Sequence, residues 1–211
     1  MKEPTDSPIR VLIADDHLIV RMGLVTLLEN SPGISVVGEA EDGNEAVRKA
    51  LKSRPNVVIM DLMMPEKDGA AATAEIKSSA PEINILLLTT FASSDTIAKA
   101  LSAGASGAVL KSTPKAKLIE AIRNVANGKQ AIADDVKDIL AEDPPAPELT
   151  ARQTEILKSI TLGLTNRDIA LQLGICPTVV KEHLYAIFNK LGAANRAEAI
   201  AIALRKHLLK I

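Results

Sequence analysis

The chain of 211 residues has few aromatic side chains, a single cysteine and no long apolar run. Its aromatic residues, Phe91, Tyr185 and Phe188, are too few for a large aromatic ligand pocket or a platform that stacks nucleic-acid bases. The lone cysteine, Cys176, excludes an internal disulfide bond and suits a reducing compartment. No apolar run approaches the roughly 18 residues of a membrane span, and the polar start lacks the apolar stretch of a secretory signal. We therefore expect a soluble cytoplasmic protein without a membrane partner.

The charge of the chain is nearly balanced overall but divided unevenly along its length. The sequence has 25 Lys and Arg against 26 Asp and Glu, a net charge of −1. Residues 148–211 hold nine basic and five acidic residues, a net of +4, and residues 1–147 hold 16 and 21, a net of −5. An acidic front and a basic back predict two domains with different partners, and nucleic acid suits the basic one.

Strands and helices alternate through the first part of the chain. Short apolar runs predict five strands, at 10–14, 34–40, 57–60, 83–90 and 107–110. A helical spacing of apolar residues follows each strand, at 17–29, 44–54, 70–79, 94–103 and 115–127. These βα repeats predict a flavodoxin-like, doubly wound (βα)5 domain over residues 1–128, with a five-stranded parallel sheet and right-handed crossovers.

The strand pattern stops after Gly128. Residues 129–147 are rich in acidic residues and proline, and we interpret them as a linker with a short helix around 134–141. Four helical segments and no strand follow within residues 148–211, at about 150–161, 165–172, 177–191 and 195–207. Thr150 and Asn195 are the expected N-caps of the first and the last of these helices. The sequence thus predicts a second, all-α domain.

Polar side chains stand at the ends of four predicted strands. The carboxyl ends of parallel strands meet at one edge of a sheet, so these residues should lie together near the switch point in strand order. They are Asp15 and Asp16 after the first strand, Asp61 at the third, Thr89 and Thr90 at the fourth, and Lys111 at the fifth. Each carboxylate taken singly is typical of a solvated turn, but the agreement of four strand ends favours a shared chemistry.

This set of residues suits phosphoryl chemistry. Clustered carboxylates repel one another, and Mg²⁺ removes that conflict because it binds a few carboxylates together with waters and phosphate oxygens. The ammonium of Lys111 can then meet a phosphoryl group as a point charge, and the hydroxyl of Thr89 can donate a hydrogen bond to it. In this arrangement one aspartate is available as a nucleophile that forms an aspartyl phosphate.

The same residues resemble the receiver domain of bacterial two-component response regulators. The resemblance covers about residues 9–127 and rests on the DD pair at 15–16, on DLMMPEKDG from Asp61, and on Thr89 and Lys111. It implies a phosphoacceptor, Asp61, and a Mg²⁺ site whose ligands are Asp15, Asp16, Asp61 and the backbone carbonyl of Met63. It also implies that Thr89 and Lys111 contact the phosphoryl group as switch residues, while Pro65 and Gly69 shape the loop.

One position departs from the receiver pattern. Receiver domains usually have Tyr or Phe three residues before the lysine, and that ring moves inward on activation, whereas this sequence has Ala108. Either movement of Thr89 alone transmits the signal, or the coupling to the second domain is weak. The histidine that follows the acidic pair, His17, is interpreted as local packing.

A helix-turn-helix pattern occupies the basic domain. In the segment 178–191 the residues Val180, Leu184, Ile187 and Leu191 share one helical face, and polar residues occupy the other. With the segment 165–174 and a short turn before it, this helix has the layout in which the second helix enters the major groove of DNA. An amphipathic helix whose polar face is simply solvated has the same pattern.

The stretches LTARQTEIL, GLTNRDIA and VKEHLYAIFNKLGAANRAEAI resemble the LuxR-type helix-turn-helix over about residues 148–207. Joined to a receiver, this is the arrangement of the NarL/FixJ class of response regulators. The resemblance implies two groups of DNA-contacting side chains. Lys181, Glu182 and Tyr185 occupy the base-facing stretch, and Arg167, Thr178 and Lys190 are candidates for contact with the phosphate backbone.

The basic domain also departs from its family pattern. Cys176 replaces the usual Ser or Thr before the recognition helix and is a poor N-cap, although Pro177 partly offsets this because its φ is preset. Val179 replaces the usual Thr and deletes a phosphate hydrogen bond. Gln153 stands where Glu is common. These differences bear on the strength of DNA binding and leave the fold prediction unchanged.

The leading interpretation is a transcription factor, not an enzyme, that a partner histidine kinase phosphorylates at Asp61 and that binds DNA as a homodimer when phosphorylated. A phosphatase or phosphotransferase with an aspartyl nucleophile would need a separate general acid and a substrate cap, and the sequence offers neither. A regulator that works without phosphorylation stays open because of Ala108. A sensor of small ligands would need an aromatic-lined pocket, which the composition disfavours.

Overall fold

Strands and helices alternate in the chain up to Pro144, whereas the chain from Pro145 on is helical. The computed structural model describes residues 7–90, 93–145, 149–206 and 208. These residues form two compact units that divide between Pro144 and Pro145. In the described part of the chain, no helix is long and apolar enough to cross a membrane.

The first unit is built on a parallel sheet of six strands in the order β2-β1-β3-β4-β5-β6. The strands are β1 (Ile9–Ala14), β2 (Ile34–Ala40), β3 (Val57–Asp61), β4 (Asn84–Thr89), β5 (Gly107–Leu110) and β6 (Ala131–Ile132). The five predicted strands and the doubly wound class are confirmed. The predicted count of five is wrong, because β6 pairs with β5 as a sixth strand.

Among the described residues of the first unit, six helices accompany the sheet: α1 (Leu18–Glu29), α2 (Gly43–Ser53), α3 (Gly69–Ser79), α4 (Ser94–Ser102), α5 (Lys115–Ala126) and α6 (Asp134–Glu142). Side chains such as Asp42, Asp68 and Ser93 start three of them by accepting a backbone N–H in the first turn. Two apolar clusters fill the unit, and the strands contribute to both. Residues alternate between the two faces along each strand, so the sheet is buried on both sides.

Residues 129–144, the greater part of the linker predicted at 129–147, contain β6 and α6 and belong to the first unit. The missed strand has only two residues, too few for any periodic signal. Gly107 permits its pairing, because a Cβ at that position would lie 2.4 Å from the carbonyl oxygen of Ala131. The short helix expected around 134–141 is confirmed as α6.

Where the structure describes the second unit, at 145, 149–206 and 208, it has four helices: α7 (Ala151–Thr161), α8 (Asn166–Leu173), α9 (Pro177–Leu191) and α10 (Arg196–Arg205). They enclose one apolar core. Thr150 and Gln153 form a reciprocal capping box at α7, and Asn195 accepts a backbone hydrogen bond from Glu198 at α10, so both predicted N-caps are confirmed. Gly174, in the left-handed conformation, ends α8 and begins the tight turn into α9.

Candidate functional site

A pocket of charged side chains lies at the carboxyl ends of β1, β3 and β5. The strand order reverses at β1, which has β2 on one side and β3 on the other, and this switch point is where doubly wound sheets bind ligands. The sequence predicts Asp15, Asp61 and Lys111 at these strand ends, and the structure brings all three together. We call this group, with Asp16 and Thr89, the acceptor pocket.

Asp61 is the last residue of β3 and is only 3% exposed. Its Oδ2 atom accepts a hydrogen bond of 2.8 Å from the Lys111 ammonium, and its Oδ1 atom lies 3.4 Å from the backbone N–H of Met63. Burial raises the pKa of the Asp61 carboxyl above its usual value, although the hydrogen bond and charge of Lys111 oppose that shift. Asp61 is therefore a desolvated carboxylate whose charge the pocket compensates incompletely.

Lys111 joins the two buried carboxylates. Its Nζ atom lies 2.7 Å from Oδ2 of Asp15 and 2.8 Å from Oδ2 of Asp61. Burial alone would lower the pKa of Lys111, but the hydrogen bonds and charges of the two aspartates outweigh burial and leave that pKa raised. The lysine therefore stays an ammonium, a fixed positive charge next to the Asp61 carboxylate.

The acidic residues after β1 supply a set of oxygen ligands. One ligand atom from each of Asp15, Asp16, His17 and Asp61 lies within 4.8 Å of the others. Oδ2 of Asp15 is buried, and the Lys111 ammonium, 2.7 Å away, compensates its charge. Buried and partly exposed carboxylate oxygens at this spacing fit Mg²⁺, which binds through a few carboxylates and retains waters.

His17 belongs to this acidic group, a membership that was not predicted from the sequence. Its Nδ1 atom is 2.6 Å from Oδ1 of Asp16, and its backbone N–H donates to Oδ1 of Asp15 at 2.9 Å. The interpretation as local packing is wrong, because the His17 side chain is 66% exposed. Its position directly after the acidic pair was the only signal in the sequence.

Thr89 ends β4 next to the pocket and is buried. Its carbonyl oxygen accepts a hydrogen bond of 2.8 Å from the backbone N–H of Lys111, which ties the two strand ends together. Thr90, the other threonine of the predicted pair, is exposed and lies just beyond the strand. The backbone thus holds Thr89 and Lys111 in register at one end of the sheet.

The loop after Asp61 depends on Gly69. A Cβ on this glycine would lie 2.1 Å from the carbonyl oxygen of Asp61, so no other residue lets α3 begin this close to β3. The backbone N–H of Gly69 donates to the carbonyl of Leu62 at 3.0 Å. The side chain of Met63 points away from the core and is 62% exposed. The loop-shaping role expected of Gly69 is explained by this close approach of two backbones.

Ala108 is completely buried in the middle of β5. It belongs to the apolar cluster on one face of the sheet, which also contains Ile97 of α4 and Val136 of α6. Helix α6 therefore covers Ala108, the position at which receivers usually have an aromatic ring. A ring at this position would need α6 to move, because the space is already filled.

The second unit places its expected recognition helix as the pattern predicts. Val180, Leu184, Ile187 and Leu191 of α9 are buried in the core. Arg167 of α8 is exposed, and so are the predicted DNA-contacting residues of α9, namely Thr178, Lys181, Glu182, Tyr185 and Lys190. No side chain caps the start of α9 at Cys176, as expected for a cysteine there, and Pro177 occupies the first turn.

Polar side chains join the helices of the second unit. The ammonium of Lys190 donates to Oε1 of Gln153 at 2.9 Å, which shows that this lysine has a structural role within the unit. Arg152 donates to the carbonyl of Leu173 at 3.0 Å, and Arg196 donates to the carbonyl of Leu164. These bonds satisfy carbonyl groups at the ends of α8 and its preceding loop, and so hold the helix-turn-helix in shape.

Two family models match the chain, one for each unit. The response regulator receiver domain matches residues 11–123, and the bacterial regulatory proteins of the luxR family match residues 147–203. Among curated proteins, the transcriptional regulatory protein LiaR of Bacillus subtilis is 39% identical over 209 residues, which cover 95% of this chain and 99% of LiaR. The probable transcriptional regulatory protein NarL of Mycobacterium tuberculosis is 34% identical, with 99% and 100% coverage.

Solved structures lead to the same family. The response regulator ChrA of a heme-sensing two-component system is 36% identical and aligns with a TM-score of 0.58 over 96% of this chain and all of ChrA. The response regulator RcsB in complex with DNA is 27% identical and aligns with a TM-score of 0.66 over 95% and 99% of the two chains. The chain therefore belongs to the two-component response regulators that regulate transcription through a receiver domain and a LuxR-family helix-turn-helix, and it is not an enzyme.

Proposed function

We propose that Asp61 accepts a phosphoryl group from a partner histidine kinase and that this modification switches DNA binding by the second unit. The observation that supports the assignment is the pairing of one ammonium, Lys111, with two buried carboxylates, Asp15 and Asp61. A carboxylate whose charge is incompletely compensated is a competent nucleophile, because little water must be removed before it attacks. The O–P bond to Asp61 forms as the P–N bond of the kinase's phosphohistidine breaks.

The remaining residues of the acceptor pocket handle the added charge. Asp15, Asp16, Asp61 and the backbone carbonyl of Met63 would hold Mg²⁺, which neutralises charge on the phosphoryl oxygens when bound. Lys111 meets one phosphoryl oxygen as a point charge, and the hydroxyl of Thr89 donates to another. The phosphorylated pocket thus recruits Thr89, and with it the end of β4, toward Asp61.

The output of the switch is DNA binding in the cytoplasm. The exposed residues of α9, Lys181, Glu182 and Tyr185, face bases in the major groove, and Glu182 can accept from a cytosine amino group. Arg167, Thr178 and Lys190 contact the phosphate backbone, with Lys190 exchanging its bond to Gln153 for a phosphate or sharing it. A phosphorylated homodimer then reads paired half-sites about one helical turn or a multiple apart.

The test is phosphorylation with a small donor. The protein is incubated with acetyl phosphate and Mg²⁺, and its intact mass and oligomeric state are recorded. Wild type should gain one phosphoryl mass and shift toward a dimer, and the control variant Asp138→Asn, at an exposed position of α6, should behave in the same way. Asp61→Asn should gain no mass. An equal mass gain in Asp61→Asn would refute Asp61 as the acceptor.

A regulator that keeps the receiver fold without phosphorylation is the second candidate, and Ala108 is the observation that favours it. The usual aromatic switch is missing, and the space it would enter is filled. In that case wild type and Asp61→Asn would have the same oligomeric state and the same DNA affinity, with or without acetyl phosphate. A dimer shift confined to proteins with Asp61 intact would exclude this candidate.

A further inference from the structure

Helix α6 covers the face of β5 from which the usual aromatic residue is missing. Val136 of α6 is completely buried in the apolar cluster that contains Ala108 of β5 and Ile97 and Ala100 of α4. Ile139 and Leu140, one turn further along α6, also pack against this cluster. The small side chain of Ala108 thus allows a helix to lie where a larger ring would stand.

The strand before α6 fixes its position. β6 pairs in parallel with β5, with Ala131 opposite Gly107 and Ile132 opposite Ala108. The carbonyl of Ala108 then accepts a hydrogen bond of 3.0 Å from the backbone N–H of Ala133, directly before the helix begins. The N-terminal end of α6 is therefore attached to the sheet by backbone hydrogen bonds that do not depend on side chains.

The C-terminal end of α6 contacts the start of α4 through a side-chain hydrogen bond. The hydroxyl of Ser94 donates to Oδ2 of Asp143 at 2.9 Å, across 49 positions of sequence. Ser94 is buried, and Asp143 is the residue that ends α6. A hydroxyl that donates to a carboxylate makes a stronger bond than one between neutral groups, so this contact anchors the helix end.

The Ser94–Asp143 bond joins a residue close in sequence to the acceptor pocket with a residue close in sequence to the second unit. Ser94 is the first residue of α4 and comes five positions after Thr89, the switch residue at the end of β4. Asp143 directly precedes Pro144, the last residue of the first unit, and the second unit begins at Pro145. The Ser94–Asp143 hydrogen bond thus connects the start of α4, close in sequence to Thr89, with the end of α6, close in sequence to the second unit.

We propose that α6 and the Ser94–Asp143 bond form a latch that is closed in the unphosphorylated protein and opens on phosphorylation. The inference rests on the proposed function, because it assigns the movement of Thr89 toward phosphorylated Asp61 as the trigger. That movement draws the start of α4 with it and separates Ser94 from Asp143. The end of α6 is then released, and the chain that leads to the second unit gains freedom. The latch replaces the aromatic switch that Ala108 removes.

The latch is tested first without phosphorylation, by hydrogen–deuterium exchange of the full chain. Ser94→Ala removes the donor, and the backbone amides near the end of α6, in residues 138–143, should exchange about tenfold faster than in wild type. Ser102→Ala is the matched control, since Ser102 is an exposed serine on the same helix. Unchanged exchange at the end of α6 in Ser94→Ala, with β1 and β3 protected as in wild type, would overturn the latch.

The second arm uses wild type and does not depend on the variant folding normally. Exchange is measured in acetyl phosphate and Mg²⁺, with intact mass recorded on the same sample and Asp61→Asn as the control. The latch predicts faster exchange at 138–143 in the phosphorylated wild type and no change in Asp61→Asn. A phosphorylated sample with unchanged exchange there would overturn the latch and leave the proposed function standing. The absence of any mass gain would overturn both.

Discussion

At the scale of single residues, the acceptor pocket places charged side chains where little water reaches them. Asp15 and Asp61 are buried, and one ammonium serves both. Burial raises the pKa of Asp61 in spite of that ammonium, so the ionised carboxylate disfavours the folded state relative to the neutral one. A neutral side chain of the same size would stabilise the fold better, so the buried carboxylate of Asp61 is explained by a chemical role and not by stability.

Asp61→Asn should therefore raise the melting temperature at neutral pH in the absence of Mg²⁺. A carboxyl group whose pKa is higher in the folded than in the unfolded state supports folding fully only below the unfolded pKa, and that support is lost as the pH rises through the folded pKa. The difference between variant and wild type should accordingly shrink toward pH of about 4. Calorimetry measures both effects, and Mg²⁺ should stabilise wild type more than the variant. A variant that melts at or below wild type at neutral pH would contradict the pKa direction.

Gly69 offers a steric test at the same pocket. Gly69→Ala places a Cβ 2.1 Å from the carbonyl oxygen of Asp61, and the resulting backbone shift should destabilise the protein by about 2 kcal/mol or more and slow phosphorylation. Gly23→Ala in α1 is the matched control, because nothing lies within 4 Å of its added Cβ. That change should be neutral or stabilise by about 0.5–1 kcal/mol. Denaturant unfolding separates the two, and equal effects would refute the steric reading of Gly69.

The sequence was sufficient to predict the residues of the acceptor pocket but not the contact that His17 makes with one of them. Asp15, Asp61 and Lys111 were predictable because parallel strands bring their carboxyl ends together whatever the loops do. His17 was not, because its contact with Asp16 is set by the conformation of the β1–α1 turn, and the residue type alone fits many environments. The orientation of a side chain in a loop can be known only from coordinates, whereas a position at the end of a strand can be predicted from the sequence pattern.

At the scale of elements, the strands and helices with clear periodicity were predicted within a residue or two of their bounds, and β6 was not. Five strands were visible as apolar runs, but the two residues of β6 acquire their structure from pairing with β5. Gly107 made that pairing possible, and its significance could not be recognised without the backbone of Ala131 beside it. Local patterns predict elements that are stable through their own apolar face, and tertiary pairing determines the rest.

The start of α9 gives a prediction at this scale. Cys176 has the extended backbone of an N-cap but makes no side-chain hydrogen bond. Cys176→Ser should supply the missing acceptor for a backbone N–H in the first turn and stabilise the second unit by about 0.5–1 kcal/mol, while Cys176→Ala should have little effect. Thermal unfolding followed by circular dichroism compares the three proteins. A serine variant no more stable than the alanine variant would show that the helix start has no need of a cap.

At the scale of the whole molecule, the acidic residues are in excess in the first unit and the basic residues in the second. Residues 148–211 have a net charge of +4 from nine basic and five acidic residues, whereas residues 1–147 are net acidic. DNA binding by the second unit should therefore weaken steeply with salt, because each phosphate contact releases counterions. The acidic first unit repels DNA by the same electrostatics, which helps to confine the contact to the helix-turn-helix.

Arg167 and Lys181 should affect DNA binding in different ways. Arg167→Ala should weaken binding to all sequences alike and reduce the slope of log affinity against log salt by about one, because it removes a phosphate contact. Lys181→Ala should instead relax base preference at one position of a selected site. Fluorescence anisotropy with phosphorylated protein measures both. Lys158→Ala, which removes an exposed charge from α7 outside the predicted contact set, is the control. If Lys158→Ala reduced the slope of log affinity against log salt as much as Arg167→Ala, the assignment of a phosphate contact to Arg167 would be refuted.

The most direct test of the account is to locate the phosphoryl group itself. After incubation with acetyl phosphate and Mg²⁺, borohydride reduces an aspartyl phosphate to homoserine, and peptide sequencing by mass spectrometry identifies the position. We expect homoserine at position 61 alone, in an amount that falls sharply when Lys111 is replaced by Ala. Homoserine at Asp15, Asp16 or any other aspartate, or none at all in a sample that has gained a phosphoryl mass, would contradict the assignment of Asp61 as the acceptor.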